Sequence, residues 1–416
     1  MVAHWIRFAE EHKDALVKGA FKARFPANDY PLLEGEGDDE RVIGVYQENL
    51  VVDAGESDRT VYVLNGANAP SLALDLRIEP ARIEVYDTFG HFVSAPPCRA
   101  GLARLDVPLS GYVKVEWENR IEPAPFRFMT FNIYGAGYGD NFTAAEREDR
   151  IEAVIRRYRP DVVSLQEVNE EWWKSGLFTA LADAYSVVRG DEDEALSSAG
   201  ADLSQKRDQW VNHEPLLIRK SRFYLLDSGL DFYHISLQVE KSLTWAVLED
   251  RLDGRRFIAF ATHFWWKRNG AESDAIREMN VRHVLARIAA IRSKWGNLPV
   301  AGGGDFNCEV GSLAMATFAQ SGYSDAGEVA PVRSTVPSEH GPLVRDADGR
   351  CRGRAGRLGE PGHEMLDHIV FTPGFQVLRH DVVVDEDAIH VSDHSPVYAD
   401  LSAIRQRRIG GTVPTS

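Results

Sequence analysis

Apolar positions follow two different rhythms along this chain. From Arg41 to Trp117 they alternate with polar ones in short runs: Val42–Tyr46, Thr60–Leu64, Leu72–Leu76, Ile83–Tyr86 and Tyr112–Trp117. A period of two buries one face of a strand and wets the other, so this spacing predicts a small antiparallel β-sandwich. Ahead of it, Trp5–Phe21 has the period of an amphipathic helix, with Trp5, Phe8, Ala9, Leu16 and Ala20 near one face, followed by a Pro-, Gly- and acid-rich link through Asp39. Glu122-Pro123-Ala124-Pro125 is the natural linker. Beyond it, strand-like runs alternate with helical periods at Ala144–Tyr158 and Ala271–Ser293, which predicts an α/β unit. Thr143, with Glu146 three residues on, is the expected cap of the first helix. The predicted organisation is residues 1–122, residues 123–405 and a polar tail at 406–416.

Several apolar runs of the second unit end in polar residues. The strand signal Leu298–Ala301 leads into Gly302-Gly303-Gly304-Asp305-Phe306-Asn307. Side chains alternate along extended backbone, so Asp305 and Asn307 share a side while Phe306 turns inward. Read alone, the motif is equally a turn built from turn-forming residues. Val391-Ser392-Asp393-His394-Ser395-Pro396, ahead of the run Val397–Leu401, tips the balance. An Asp beside a His at a strand entrance supplies a hard oxygen ligand and a group that titrates near neutrality. Phe126–Ile133 carries Asn132, Asp161–Val168 carries Glu167, and Phe257–His263 ends in His263. One such residue is more often a capped strand end; their recurrence is the signal.

In order, Thr130-Phe131-Asn132, Leu165-Gln166-Glu167, Thr262-His263, Gly304–Asn307, Leu366-Asp367-His368-Ile369 and Ser392–Pro396 resemble the motifs of the endonuclease/exonuclease/phosphatase superfamily, the group of deoxyribonuclease I. The resemblance spans roughly Pro123 to Ala403. It implies two packed β-sheets flanked by helices, an αββα sandwich with the site at the strand ends, here preceded by the smaller sandwich. It also implies hydrolysis of a phosphate ester with Mg²⁺ (or Mn²⁺). Glu167 would be the principal metal ligand, supported by Asn132 and Asp393. Asp305 would orient and deprotonate the attacking water, Asn307 would hold that water or a phosphoryl oxygen, and His263 and His394 would bind the phosphate from two sides. Such chemistry needs charge neutralisation, an oriented water and donors for the transition state. Asp367 matches the partner of His394. Glu214, in Asn212–Lys220, matches a glutamate paired with His263; otherwise it is a solvated strand edge. His213 and His368, facing the other way, read as packing or surface residues.

Charge and composition narrow the substrate class. The 416 residues carry a formal net charge of −16, with 44% hydrophobic and 26% charged residues. That content is ordinary for a globular protein. The acidic total disfavours tight nonspecific binding to long nucleic acid, though a local cleft with bound metal can override it. Cys98, Cys308 and Cys351 have neither a disulfide framework nor metal-ligand spacing. No run approaches the roughly 18 apolar residues of a membrane span, and Met1–Asp14 lacks a signal pattern. The expectation is a cytoplasmic protein without membrane contact.

The remaining candidates lie at the rim. Trp265-Trp266-Lys267-Arg268 follows His263, so one tryptophan is expected to stack on substrate and the other to anchor the core, with Lys267 or Arg268 near phosphate. Tyr134, in a glycine-rich stretch after Asn132, is a further rim contact. Gly190–Gln209 reads as an acidic loop. Val332–Pro361, with Arg333, Arg345, Arg350, Arg352, Arg354 and Arg357, reads either as an anion-recognition loop or as a solvated one. The N-terminal third carries a second resemblance: Trp5–Phe8, His12-Lys13 and Asp39–Tyr46 are similar to the end of an α-galactosidase-like glycoside hydrolase, where a last barrel helix leads into a C-terminal β domain. No catalytic barrel precedes it, so a packing role is favoured over carbohydrate contact. Together these readings give a metal-dependent phosphoesterase for a small or sugar-containing ester, ahead of a nuclease or a non-catalytic binding module.

Overall fold

The computed structural model of the protein describes strand backbone between residues 21 and 76, and residues 80–403 except 100, 110, 117–124, 138–141, 207–209, 234–240, 252–253 and 354–363. The helix expected over Trp5–Phe21 lies outside the described residues except at Phe21, and the tail 406–416 lies outside as well. The chain divides into two compact units, Met1–Glu122 and Pro123–Ser416.

The first unit is antiparallel throughout. Its strands are β1 (Phe21–Lys22), β2 (Asp29–Glu34), β3 (Arg41–Gln47), β4 (Val51–Ala54), β5 (Thr60–Leu64), β6 (Leu72–Leu76), β7 (Arg82–Tyr86), β8 (Phe92–Ser94), β9 (Gly101–Leu105) and β10 (Tyr112–Glu116). One sheet runs β1-β4-β5-β10-β7-β8, and β2–β3 and β6–β9 form separate pairs. Register sets Val113 opposite Val85 and Val115 opposite Ile83. These four, with Leu105 and Val107, form the core of the unit. The period of two is what brings them to one face.

The second unit is an α/β sandwich of two mixed sheets. Its strands are β11 (Phe126–Asn132), β12 (Val162–Gln166), β13 (Tyr185–Val188), β14 (Leu216–Arg219), β15 (Phe223–Phe232), β16 (Ser242–Asp250), β17 (Arg256–His263), β18 (Val300–Asp305), β19 (Ser324–Asp325), β20 (Val344–Arg345), β21 (Cys351–Arg352), β22 (Asp367–Phe371), β23 (Phe375–Val382) and β24 (Val397–Ala403). One sheet runs β13-β14-β12-β11-β24-β23, the other β15-β16-β17-β18-β22-β19. Among the described residues of these two sheets, β11–β12 and β17–β18 are the strand pairs that run in parallel. Between the sheets lies a core that includes Phe126, Phe128, Ala246, Leu248, Phe257, Ala259, Ala301, Ile369, Ala399 and Leu401. On the opposite face of the second sheet, Val281, Val284, Ile288 and Ile291 of helix α1 (Ala271–Trp295) pack with Ile258, Phe260 and Phe306. Each such side chain, fully buried, contributes roughly 1.5–3 kcal/mol.

Three local expectations change. The glycines of Gly302–Gly304 do not follow a strand; they are β18 itself. A Cβ on Gly302 would lie 2.2 Å from the Phe260 ring, and one on Gly304 1.9 Å from the Thr262 carbonyl oxygen. At Gly303 it would lie 3.0 Å from Phe128 of the facing sheet. Only glycine allows this close approach of backbone and sheets. The acidic stretch Gly190–Gln209 contains a helix, Glu192–Ser198, because Asp191 caps it by accepting from Glu194 N at 3.0 Å. Its acidic first turn complements the partial positive charge at the helix start. Conversely, Glu146 accepts from Thr143 N (2.8 Å) in a turn ahead of the next helix, Glu148–Tyr158, and does not cap its first turn.

Candidate active site

Both sheets deliver polar side chains to one end. Asn132 closes β11, Glu167 follows β12, His263 closes β17 and Asp305 closes β18, while Asp367 opens the antiparallel β22 and Asp393-His394 precede β24. Register does the assembling: His263 stands beside Asp305, and Asp367 stands opposite it. Beneath them a buried polar ladder ties the sheets together. Thr130 Oγ1 donates to Gln166 Oε1 (3.1 Å), Gln166 Nε2 to Ser164 Oγ (2.7 Å), and Ser164 Oγ to the Gly303 carbonyl (2.9 Å).

Asp305 is the centre of the site. Its Oδ2 accepts from Asn132 Nδ2 (3.1 Å) and lies 3.2 Å from His263 Nε2 and 3.7 Å from His394 Nε2. Its Oδ1 accepts from Asn307 N (2.9 Å). Burial pushes this carboxyl up, but His263 and His394 outweigh burial and hold it well below the usual range. His394 Nδ1 lies 2.6 Å from Asp367 Oδ2. Burial opposes the charge on His394, yet Asp367 and Asp305 raise its pKa well above the ordinary histidine value.

Glu167 Oε1 accepts from Asn132 Nδ2 (3.1 Å) and Oε2 from Gly135 N (2.8 Å). Burial acts to raise its pKa; Lys241 and His263 overcome that and lower it. Asp393 moves the other way, pushed up to about 7 by burial, against the opposing His394 and with the help of Glu167. Glu167 and Asp393 therefore offer two crowded carboxylates, while Asn132 turns its amide nitrogen to Glu167 and its Oδ1 accepts from Tyr134 N (3.0 Å). Such hard-oxygen donors fit a Mg²⁺ or Mn²⁺ ion, which takes few protein ligands and keeps its waters. Asp305, Asp367 and His394 also come close enough together to hold an ion. Tyr134, Glu167 and Asn307 all have positive φ (56°, 62° and 51°), as does Arg159 away from the site. Such backbone is sparsely populated outside glycine and collects at functional sites.

Other expected contacts fall elsewhere. Glu214 Oε1 is 3.9 Å from His263 Nδ1, beyond hydrogen-bond reach. Lys241 Nζ lies 2.8 Å from that nitrogen and 3.0 Å from Nε2, and Glu214 Oε2 accepts from Ser242 Oγ. Trp265 is buried and packs, whereas Trp266 is 52% exposed. Lys267 Nζ lies 5.2 Å from the Trp265 ring centroid and 5.7 Å from that of Trp266, and Arg268 pairs with Glu339 and Glu364. Within Val332–Pro361, Arg345 pairs with Glu146, Arg352 with Asp346, and Arg333 donates to the Glu328 carbonyl. These three arginines bond to other groups of the protein, Arg350 bonds to Asp346 through its backbone N, and Arg354 and Arg357 lie outside the described residues. A separate cleft of about 730 Å³, lined among others by Arg189, Glu192, Asp231, Trp245 and Arg287, contains none of the site residues; in it Arg189 pairs with Glu192 and Arg287 with Asp231.

Three groups that sequence reasoning passed over support the site. Lys241 is one. Arg147, 1% exposed, donates from its guanidinium to the carbonyls of Ile133, Val391, Tyr134 and Phe142. His368, read as packing or surface, is buried between Asp325 (2.7 Å) and the Cys308 carbonyl (2.8 Å), behind Asn307. Burial lowers the pKa of His368, but Asp325 raises it on balance; burial raises that of Asp325, but His368 lowers it on balance. The raised histidine stabilises the fold below its unfolded value of about 6.5 and loses that effect as pH rises through its folded value. The lowered aspartate stabilises above about 4 and loses it as pH falls through its own. Asp325→Asn is therefore expected to cost ~3 kcal/mol between those limits and to flatten the pH dependence of the melting temperature. Melts at pH 6 that match the unsubstituted protein would discount the pair.

Among the described residues no helix is long and apolar enough to cross a membrane. The chain matches the Endonuclease/Exonuclease/phosphatase family over residues 129–394. An endonuclease/exonuclease/phosphatase structure from Bacteroides vulgatus is 24% identical and superposes with a TM-score of 0.53, over 68% of this chain and 100% of that one. A Bacteroides thetaiotaomicron family protein gives 18% identity and 0.53 over the same shares. The mannosyl-6-phosphatase of Bacteroides thetaiotaomicron gives 19% and 0.51, over 66% of this chain and 99% of its own. A comparison with curated protein sequences finds no match.

Proposed function

The chain belongs to the endonuclease/exonuclease/phosphatase family of phosphoesterases and nucleases, and from that premise we propose that it is a divalent-metal-dependent hydrolase of small or sugar-containing phosphate esters. The observation that carries this reading is the setting of Asp305, an anionic carboxylate with two histidine Nε2 atoms within 3.2 and 3.7 Å of one oxygen.

Asp305 orients the attacking water, and Asn307 steadies that water or a phosphoryl oxygen. His263 and His394 flank the phosphate, His394 kept charged by Asp367. In the resting site the two histidines hold the proton affinity of Asp305 low. An anionic phosphate between them takes up their field, so the carboxylate becomes more basic as substrate binds. Bound Mg²⁺ or Mn²⁺, held by Glu167 with Asn132 and Asp393, would neutralise charge on the phosphate oxygens.

Net charge of −16 and the paired arginines of the 332–361 segment favour a small ester over nucleic acid. The test is hydrolysis of a panel of phosphate mono- and diesters beside single- and double-stranded DNA and RNA, with and without Mg²⁺. The panel includes a mannose-6-phosphoryl ester, after the name of one fold relative. Turnover of small esters that stops on chelation and returns with Mg²⁺ is the expected result. Cleavage of nucleic acid alone, steeply weakened by salt, would replace this reading with a nuclease.

A further inference from the structure

β17 ends at His263, and the chain then leaves the sheet as the stretch Phe264–Asn269. Its start is tied to the proposed reacting groups. Phe264 N donates to the Asp305 carbonyl (2.9 Å), and Asn307 Nδ2 donates to the Phe264 carbonyl (3.3 Å). Its far end reaches the surroundings of the other histidine. The Arg268 guanidinium lies 3.3 Å from Glu339 Oε2 and 3.1 Å from Glu364 Oε2, and Glu339 forms an antiparallel bridge with His394. Trp266 stands midway between Phe264 and Arg268, and two residues of chain span at most about 7 Å. The stretch therefore runs along the rim of the site from the His263 side to the His394 side, with Trp266 at its middle.

Helix α1 holds this stretch from behind with buried polar groups. Arg277, 5% exposed, donates from Nε to the Trp265 carbonyl (2.9 Å) and from Nη2 to the Lys267 carbonyl (2.7 Å). Asn280 Oδ1 accepts from Trp265 N (3.3 Å), and Ser273 Oγ accepts from Asn269 N (3.0 Å). A buried guanidinium is costly unless its N–H groups are bonded, so the carbonyls on both sides of Trp266 are firmly held. The side chain between them nevertheless faces water over half its surface. Trp266 meets Trp265 at a tilt of 42° with ring centroids 6.5 Å apart, and Lys267 Nζ lies 5.7 Å from its ring. A single exposed apolar side chain is ordinary surface. A tryptophan whose neighbours' backbone is fixed, on a stretch tied to both histidines' surroundings, is an apolar plane set in place before a ligand arrives.

We propose that Trp266 determines specificity by stacking on a ring in the alcohol part of the ester while the phosphate lies between His263 and His394. The inference deepens the phosphoesterase reading and rests on it. An indole face attracts the C–H face of a sugar and the plane of an aromatic ring alike. The substrates it selects are therefore phosphate esters of ring-bearing alcohols, over esters of acyclic ones. Arg268 already pairs with two carboxylates, so the indole is the part of this rim suited to the uncharged portion of an ester. Only two side-chain torsions set the indole, so ordering it on a ligand costs little entropy.

The experiment is steady-state kinetics of the full chain with Mg²⁺ on mannose 6-phosphate, phenyl phosphate and glycerol 3-phosphate, comparing the unsubstituted protein with Trp266→Ala and Trp266→Phe. Trp266→Ala is expected to lower the preference for a ring ester over glycerol 3-phosphate, as a ratio of kcat/KM, about tenfold. The loss should fall mainly on KM, and Trp266→Phe, which keeps an aromatic plane, should retain most of the preference. A drop for mannose 6-phosphate identifies the ring as a sugar, and a drop for phenyl phosphate alone identifies it as aromatic. Equal losses on all three esters, or none, would overturn the inference, as would a loss seen only in cleavage of single-stranded nucleic acid. If no ester is hydrolysed, tryptophan fluorescence during titration with the two ring esters separates the failures. A change that disappears in Trp266→Ala would keep the ring contact and remove the reaction, whereas no change would remove both.

Discussion

Asp305→Ala and the near-isosteric Asp305→Asn are expected to lower kcat on the best ester about 10³-fold, with KM changed only a few-fold. Asp305 touches the proposed reacting water, not the remote part of any substrate, so its loss is felt in the transition state. Asparagine keeps the volume and offers an amide oxygen to the Asn307 N–H (2.9 Å), but it takes no proton and brings no charge between the histidines. The two variants should therefore fail alike. Steady-state kinetics with equal melting temperatures as a fold control is the measurement. Activity within tenfold of the unsubstituted enzyme in either variant would remove Asp305 from the mechanism.

The second large effect is on stability. Arg147→Met is expected to lower the melting temperature by about 10 °C, since unsatisfied buried carbonyls cost about 1–3 kcal/mol each. Methionine fills much of the volume, and the site of four accepted hydrogen bonds loses its donors at Ile133, Val391, Tyr134 and Phe142. Tyr134 O keeps one, from Trp172 Nε1 (3.0 Å), so the loss at that carbonyl is partial. Ile133 and Tyr134 follow Asn132, and Val391 precedes Asp393, so the same substitution loosens the proposed metal ligands from two sides. A weaker apparent Mg²⁺ affinity should accompany the lower melting temperature. A melt within 2 °C of the parent would show that water or other donors satisfy those carbonyls.

Arg147 and Lys241 were illegible in the sequence for the same reason. Each sits in a polar neighbourhood, Glu146-Arg147-Glu148 and Glu240-Lys241-Ser242, that reads as solvated surface. Nothing local distinguishes a cation folded inward from one facing water; only the tertiary path shows that Arg147 meets carbonyls from three other segments. Asn132, Glu167, His263, Asp305 and Asp393-His394 were legible because each stands at the end of an apolar run, where a buried strand must emerge and show polar groups. The two-sheet architecture came from motif order, since apolar alternation reports a strand and not its neighbours. Side-chain pairing was the poorest part. Lys241 lies closer to the His263 ring than Glu214, its expected partner, and which of the two tryptophans anchors the core was not readable at all, differences of an ångström or one residue that propensity cannot resolve.

The glycine strand bears on how this chain can diversify. Gly302 and Gly304 each have a neighbour inside 2.5 Å of any added Cβ, so neither has a neutral replacement one mutation away. The strip that leads to Asp305 is in effect closed to drift, and a lineage can alter it only by changing Phe260 or the course of β17 together with it. Variation that succeeds must therefore accumulate around the opening, in segments such as Trp266–Asn269, where Trp266 is exposed. Descendants of this sequence would inherit one reaction and differ in what they admit to it.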